Sequence, residues 1–236
     1  MYDVQRRVWM LLLILVSFSL SAHDFSADRE LLNAYLTDDM PVWKAYIDSL
    51  AAVGTQDAVL QSLPYEYGYC AAQLDRDKEL ALTYTKLYKA HVEAAKELLP
   101  KGHYAMYVSS VYVYEMALRI SLRPAKTLTL AKKAVKQSPD DPMVLNYYGM
   151  TLFYAPKAFG SKKEALDLFL RAVNAFEAPE WHHCWWRASA MMYVAQCYLK
   201  LGQAETALQY AEKTLQEYPG FRFVEDTLMP EIYDSL

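Results

Sequence analysis

Between Ala188 and Tyr218 the chain reads ASAMMYVAQCYLKLGQAETALQYAEKTLQEY, two blocks whose apolar positions recur every three or four residues. That period predicts two amphipathic helices. Gly202 permits a tight turn between them, and Pro219 stops the second. Small Ala195 and Ala207 let the two helices approach closely, and Tyr198 fills the wedge. Upstream, DDPMVLNYYGMTLFYAPKAFGSKKEALDLFLRAVNAFE follows the same plan, with Gly149 in its first helix and Ala165 and Ala172 in its second. Here 16 residues separate Gly149 from Ala165, against 12 between Ala195 and Ala207. The surplus falls in YAPKAFGS (154–161), which predicts an enlarged loop with Pro156 and Gly160. A third copy, VSSVYVYEMALRISLRPAKTLTLAKKAVKQSPDD, fits through Ala131, Ala134 and Pro139, but Glu115 stands where a small residue is expected.

Before residue 100 the pattern loosens. YEYGYCAAQL and DKELALTYTKLYKAHVEAAKELL read as a helix pair with apolar faces. DMPVWKAYIDSLAAV reads as an earlier helix, with Pro41 near its start and Gly54 past its end. After Gly220, FRFVEDTLMPEIYDSL reads as a capping helix with a polar outer side, which an open array needs to cover its last apolar face. The chain thus divides into a divergent helical section (23–103) and a repeat section with its cap (104–236). The expectation is an all-α fold of about ten helices with three recognisable pairs.

The spacing of Ala195, Tyr198, Gly202, Ala207, Leu208, Tyr210, Leu215 and Pro219 resembles the tetratricopeptide repeat, a pair of antiparallel helices of about 34 residues. The likeness covers residues 104–236 well and 27–100 loosely. The enlarged loop, a Trp before the last repeat, and the ending PGFRFVEDTLMPEI are similar to a subgroup of exported Gram-negative tetratricopeptide proteins. The resemblance implies a right-handed solenoid and a binding habit, not a reaction. In such repeats the first helices line a concave groove. Carried over, that habit turns Ser109, Tyr112, Met116 and Arg119 inward from one copy. The next copy offers Met143, Asn146, Met150, Phe153 and Tyr154, and the last offers Ser189, Met192 and Gln196. Tyr buries a large area with few torsions to freeze, and Met adapts its shape, so such a wall suits an extended or helical peptide. Coverage of the same residues by neighbouring helices or by the N-terminal section is the competing expectation. Repeats that grip a peptide carboxylate carry Lys and Asn where this chain has Tyr112 and Met116, which disfavours that mode. The expected function is a non-enzymatic protein–protein interaction module or scaffold. The alternative is a substrate- or small-molecule-binding subunit of an envelope transport or secretion system, with the 154–161 loop as a lid.

Composition agrees with a buried core: 54% of residues are hydrophobic, 22% are charged, and there are only seven glycines. Arg6 and Arg7, the apolar run Val8–Leu20 and the small residues Ser21 and Ala22 read as a signal peptide over residues 1–22. The run is short of the roughly 20 apolar residues of a membrane span. The chain is therefore expected to be exported, to the periplasm or outer envelope of a Gram-negative bacterium, with no stable span after cleavage. Without that segment 22 basic residues face 27 acidic ones, and no basic arm recommends nucleic acid as a partner.

Chemistry-bearing residues are few. In WHHCWWR (181–187), His182 and His183 lie about 100° apart on a helix and cannot chelate together, so the aromatics are expected to be packing residues. Three cysteines make no disulfide framework. Cys184 and Cys197, if on one helix, would stand roughly 20 Å apart, too far to bond. Asp140-Asp141 before Pro142 and Asp38-Asp39 before Met-Pro read as helix caps. The clusters at Lys132, Lys133 and Lys136 and at Lys157, Lys162 and Lys163 read as solvated faces. GSKKEA (160–165) reads as a turn before a helix and not as a phosphate loop. No catalytic, cofactor or metal site is expected.

Overall fold

The computed structural model describes residues 25–181 and 183–236, so the expected signal peptide and His182 lie outside the described residues. Within them are eleven α-helices and no strand. In chain order these are α1 (Phe25–Thr37), α2 (Met40–Val53), α3 (Gln56–Gln73), α4 (Lys78–Ala94), α5 (Lys101–Ala117) and α6 (Pro124–Gln137). They continue with α7 (Pro142–Tyr154), α8 (Lys162–Ala175), α9 (Trp185–Lys200), α10 (Ala204–Glu217) and α11 (Met229–Tyr233). None of them is long and apolar enough to cross a membrane. Each helix packs on its chain neighbour, most closely within α3/α4, α5/α6, α7/α8 and α9/α10. The first members α3, α5, α7 and α9 also touch one another in that order and form a row.

The small residues explain the close pairing. Ala131, Ala134, Ala165, Ala172, Ala195 and Ala207 are all fully buried. A methyl group at Gly149 would stand 2.8 Å from the ring of Phe169, so the bare backbone of α7 seats that ring. The irregular Glu115 is buried as well, and Lys89 of α4 neutralises it at 2.7 Å. Turn chemistry follows the local signals: Gly54 and Gly202 take positive φ, and the Asp141 and Ser161 side chains accept the backbone N–H of Val144 and Glu164. Asp38 and Asp39 depart from expectation. Asp39 stands at the N-cap of α2 but its side chain makes no capping bond, and Asp38 instead holds Arg76 through both carboxylate oxygens at 2.7 and 2.8 Å.

The leading helices are placed by aromatic packing. Trp43 of α2 is fully buried, and its ring lies directly on Gly68 of α3, where any Cβ would collide with it. Its indole N–H donates to the Leu31 carbonyl at 2.8 Å, which ties α1 to α2. Helix α1 then reaches α9, where the Tyr35 ring lies 5.1 Å from Trp185 and 5.3 Å from Phe221. Arg222 donates to the Thr37 carbonyl at 3.4 Å. The first and last described segments therefore meet across the row of first helices.

Candidate functional site

The residues expected to line a groove fall into three groups. Tyr112 is half-buried and turned toward the start of α6, with Lys126 at 4.7 Å and Arg123 at 5.8 Å from its ring centre. Met116 is half-buried on the same helix, while Arg119 is exposed just past its end with φ of 59°. Ser109, Met143, Asn146 and Phe153 are buried. The third group comes together: Met150 and Tyr154 from α7 meet Met192 and Gln196 from α9 around one cleft of about 570 Å³.

Helices α1 and α2 form the facing wall of this cleft, through Tyr35 and Trp43. Its floor is α3, where Gly68 seats the Trp43 ring and the small side chains of Ala71 and Ala72 leave the space beside it open. The Tyr67 hydroxyl donates to the Met150 sulfur at 3.6 Å, and the Tyr154 and Tyr193 hydroxyls share a bond of 2.9 Å. Burial pushes the Tyr35, Tyr67 and Tyr193 phenols well above the usual tyrosine range, so they stay neutral and offer hydroxyls, not charge. Charges sit at the rim as opposed pairs, Asp38–Arg76 at 2.7 Å and Asp226–Arg222 at 3.6 Å. Such a cleft can hold an apolar or aromatic group and offer it a few neutral hydrogen bonds. Sequence reasoning missed Tyr35, Trp43 and Gly68. The available signal was Gly68, an isolated glycine inside the helical stretch YEYGYC, which marks a close approach of another element.

Of the enlarged loop, only Tyr154 reaches this cleft. Phe159 is exposed, Gly160 tucks against Leu152 and Ala155, and Lys162 bonds the Phe153 carbonyl with its ammonium 4.0 Å from the Phe153 ring centre. Lys162 is thus tied down and not part of a solvated face.

WHHCWWR is not one helix. Pro179–Trp181 form a short 3-10 turn, Cys184 is extended at the N-cap, and α9 begins at Trp185. Trp186 is fully buried and stacks on Tyr67 at 4.7 Å. Arg187 is buried too, donating to the Tyr218 hydroxyl at 2.8 Å and pairing with Glu177 and Glu217. Cys70, Cys184 and Cys197 are free, and burial pushes each thiol up to about 12, so all three are protonated at neutral pH and poor nucleophiles. Among the described residues no group of three His, Cys, Asp or Glu is arranged to hold a metal ion. No family model, curated protein or solved structure matches this chain.

Proposed function

We propose that the protein is a non-enzymatic binding module of the tetratricopeptide type, working in the cell envelope, and that it captures a short segment of a partner protein in the cleft between α1–α2 and the row of first helices. The observation that carries this reading is the convergence of Met150, Tyr154, Met192 and Gln196 on one cavity. Adaptable Met and rigid Tyr are the side chains that promiscuous peptide sites favour. The covering helices shorten the groove, so the captured segment inserts one or two apolar side chains and does not lie along the whole row.

Tyr154 and Gln196 are accessible enough to change without emptying the core. With a photo-crosslinking residue at 154, a partner from envelope extracts is expected to attach. Tyr154→Ala with Gln196→Ala should abolish its capture, whereas Tyr112→Ala should leave capture intact. Equal loss from the Tyr112 variant would remove the cleft from consideration. The cleft volume also lies within the range of small-molecule sites, which favours a metabolite as the alternative occupant. That reading predicts a ligand-linked rise in melting temperature that the same double variant suppresses.

A further inference from the structure

From Met116 to Pro139 the chain carries six cations and no carboxylate, although its net charge is −4. Arg119 and Arg123 belong to the turn between α5 and α6, and Lys126, Lys132, Lys133 and Lys136 follow along α6. All six are exposed, and among the described residues none of them makes an ion pair. The same turn carries Ile120, 53% exposed, and Leu122, whose 85% is the highest of any large apolar side chain among the described residues. Its backbone is fixed. Arg119 takes φ of 59°, uncommon for a residue with a side chain, and the Ile120 and Ser121 N–H groups both donate to the Glu115 carbonyl, at 2.7 and 3.3 Å. Arg123 and Lys126 are held against the Tyr112 ring. Because α5, α6 and α7 pack in sequence through short links and so alternate in direction, the next such connection, 155–161, emerges at the same end. It adds Phe159, 68% exposed, and Lys157; Glu164 at the start of α8 offsets one charge there.

We propose that this end of the array docks on an anionic lipid bilayer, with Ile120, Leu122 and Phe159 entering its surface and Arg119, Arg123 and Lys126 at headgroup level. Apolar side chains gain by leaving water for the acyl boundary, and cations beside them gain from the negative surface potential. Long Arg and Lys side chains can lay their stems along apolar surface while their charges stay among headgroups. An acidic protein is the weaker fit. A stable protein complex buries roughly 800 Å² per partner in a surface of matching shape, more than three protruding side chains provide. A fluid bilayer needs no matching shape. Its lipids also diffuse to the cations, so the row of lysines along about 15 Å of α6 finds partners without a preset pattern. This surface is separate from the cleft and does not rest on the function proposed for it.

A polarity-sensitive dye on Leu122→Cys of the full-length protein tests the assignment. The vesicles are equal parts phosphatidylglycerol and phosphatidylcholine, or phosphatidylcholine alone. The native thiols are protonated and slow to react, so the label falls on the introduced one. Emission is expected to shift to the blue on the anionic vesicles only. The same dye on Tyr233→Cys, in an acidic segment with Glu231 and Asp234, is expected to stay in water. The apolar run 8–20 is present in both labelled chains and meets both vesicles, so it does not by itself produce that difference. No shift at 122, or an equal shift on neutral vesicles or at 233, would end the proposal. Arg119→Gln, Arg123→Gln and Lys126→Gln together should weaken binding by about a hundredfold, roughly fivefold per charge. Ile120→Ser with Phe159→Ser should weaken it by about tenfold or more, and unchanged affinity would mean that no side chain enters the bilayer. These positions are exposed, so circular dichroism should not change, and the vesicle comparison on the labelled chain stands without them. Binding to soluble polyglutamate with no shift on either vesicle would assign an acidic protein and overturn the lipid reading.

Discussion

Glu66 is fully buried, yet its carboxylate is held by the Ser62 hydroxyl at 2.8 Å and by His91 Nδ1 at 2.6 Å. The bond to Glu66 raises the His91 pKa against the opposing pull of burial. A histidine whose folded pKa exceeds the unfolded value near 6.5 stabilises the protein fully below that pH. The stabilisation then drains away as pH rises through the folded pKa. Glu66→Gln keeps the shape and removes the charge, so the melting-temperature advantage of the wild type should be largest near pH 6 and shrink toward pH 8. Cysteine ionisation in the unfolded chain adds its own alkaline loss, but equally in both proteins, so the difference isolates the pair. An advantage constant across this range would refute the coupling. The sequence makes no such pair visible, because 25 residues separate its members. Asp141 is legible by contrast, since it bonds Val144 within one turn; its hydrogen bond with His103 Nε2, 38 residues earlier, is not. Asp38 shows the same limit, being read as a cap when its partner is Arg76, another 38 positions away.

At the level of elements, the small residues told most. Ala195 and Ala207 locate a helix contact because only small side chains let two backbones approach, and Gly149 does so for α7 and α8. Alanine normally favours a helix over glycine by about 1 kcal/mol. At position 149 the added methyl meets Phe169, whose ring is fully buried and stacked on Tyr193 at 4.9 Å, so it has nowhere to retreat. Gly149→Ala should therefore destabilise the protein, by about 1–3 kcal/mol of overpacking less the propensity gain. Urea denaturation decides it, and a stabilised variant would mean that α7 and α8 are not closely seated. Element boundaries were harder to read. WHHCWWR has helical spacing on paper, but the turn from Pro179 and the extended Cys184 delay α9 to Trp185. Past Gly220 one capping helix was expected. That run forms over residues 222–233, but it widens to a π-turn over Val224–Leu228 before α11, next to Pro230, which has no N–H to continue a regular ladder. Helix α1 went unread, since nothing local in FSADRELLNAYLT announces that its Tyr35 meets Trp185 and Phe221.

A row of stacked helix pairs is ordinarily held by neighbour contacts alone, so its ends unfold independently of one another. Here the ends touch. Trp43 lies against Gly68 of α3 and 5.2 Å from Trp185 of α9, Tyr35 bridges to Phe221, and Arg222 returns to Thr37. These contacts join segments far apart in the sequence, which no reading of local periodicity supplies, and they decide how much of the groove α1 and α2 cover. They also predict cooperativity between the ends. Trp43→Ala removes a fully buried ring and should cost roughly 3–5 kcal/mol. If α2 bridges the molecule, hydrogen exchange in that variant accelerates in α9 and around Phe221 as well as in α2 and α3, while α6, which lacks these contacts, keeps its protection. Acceleration confined to α2 and α3 would mean that the leading helices rest on the row without tying its ends together. The covering helices would then be free to lift, and the cleft would be the closed form of a longer groove.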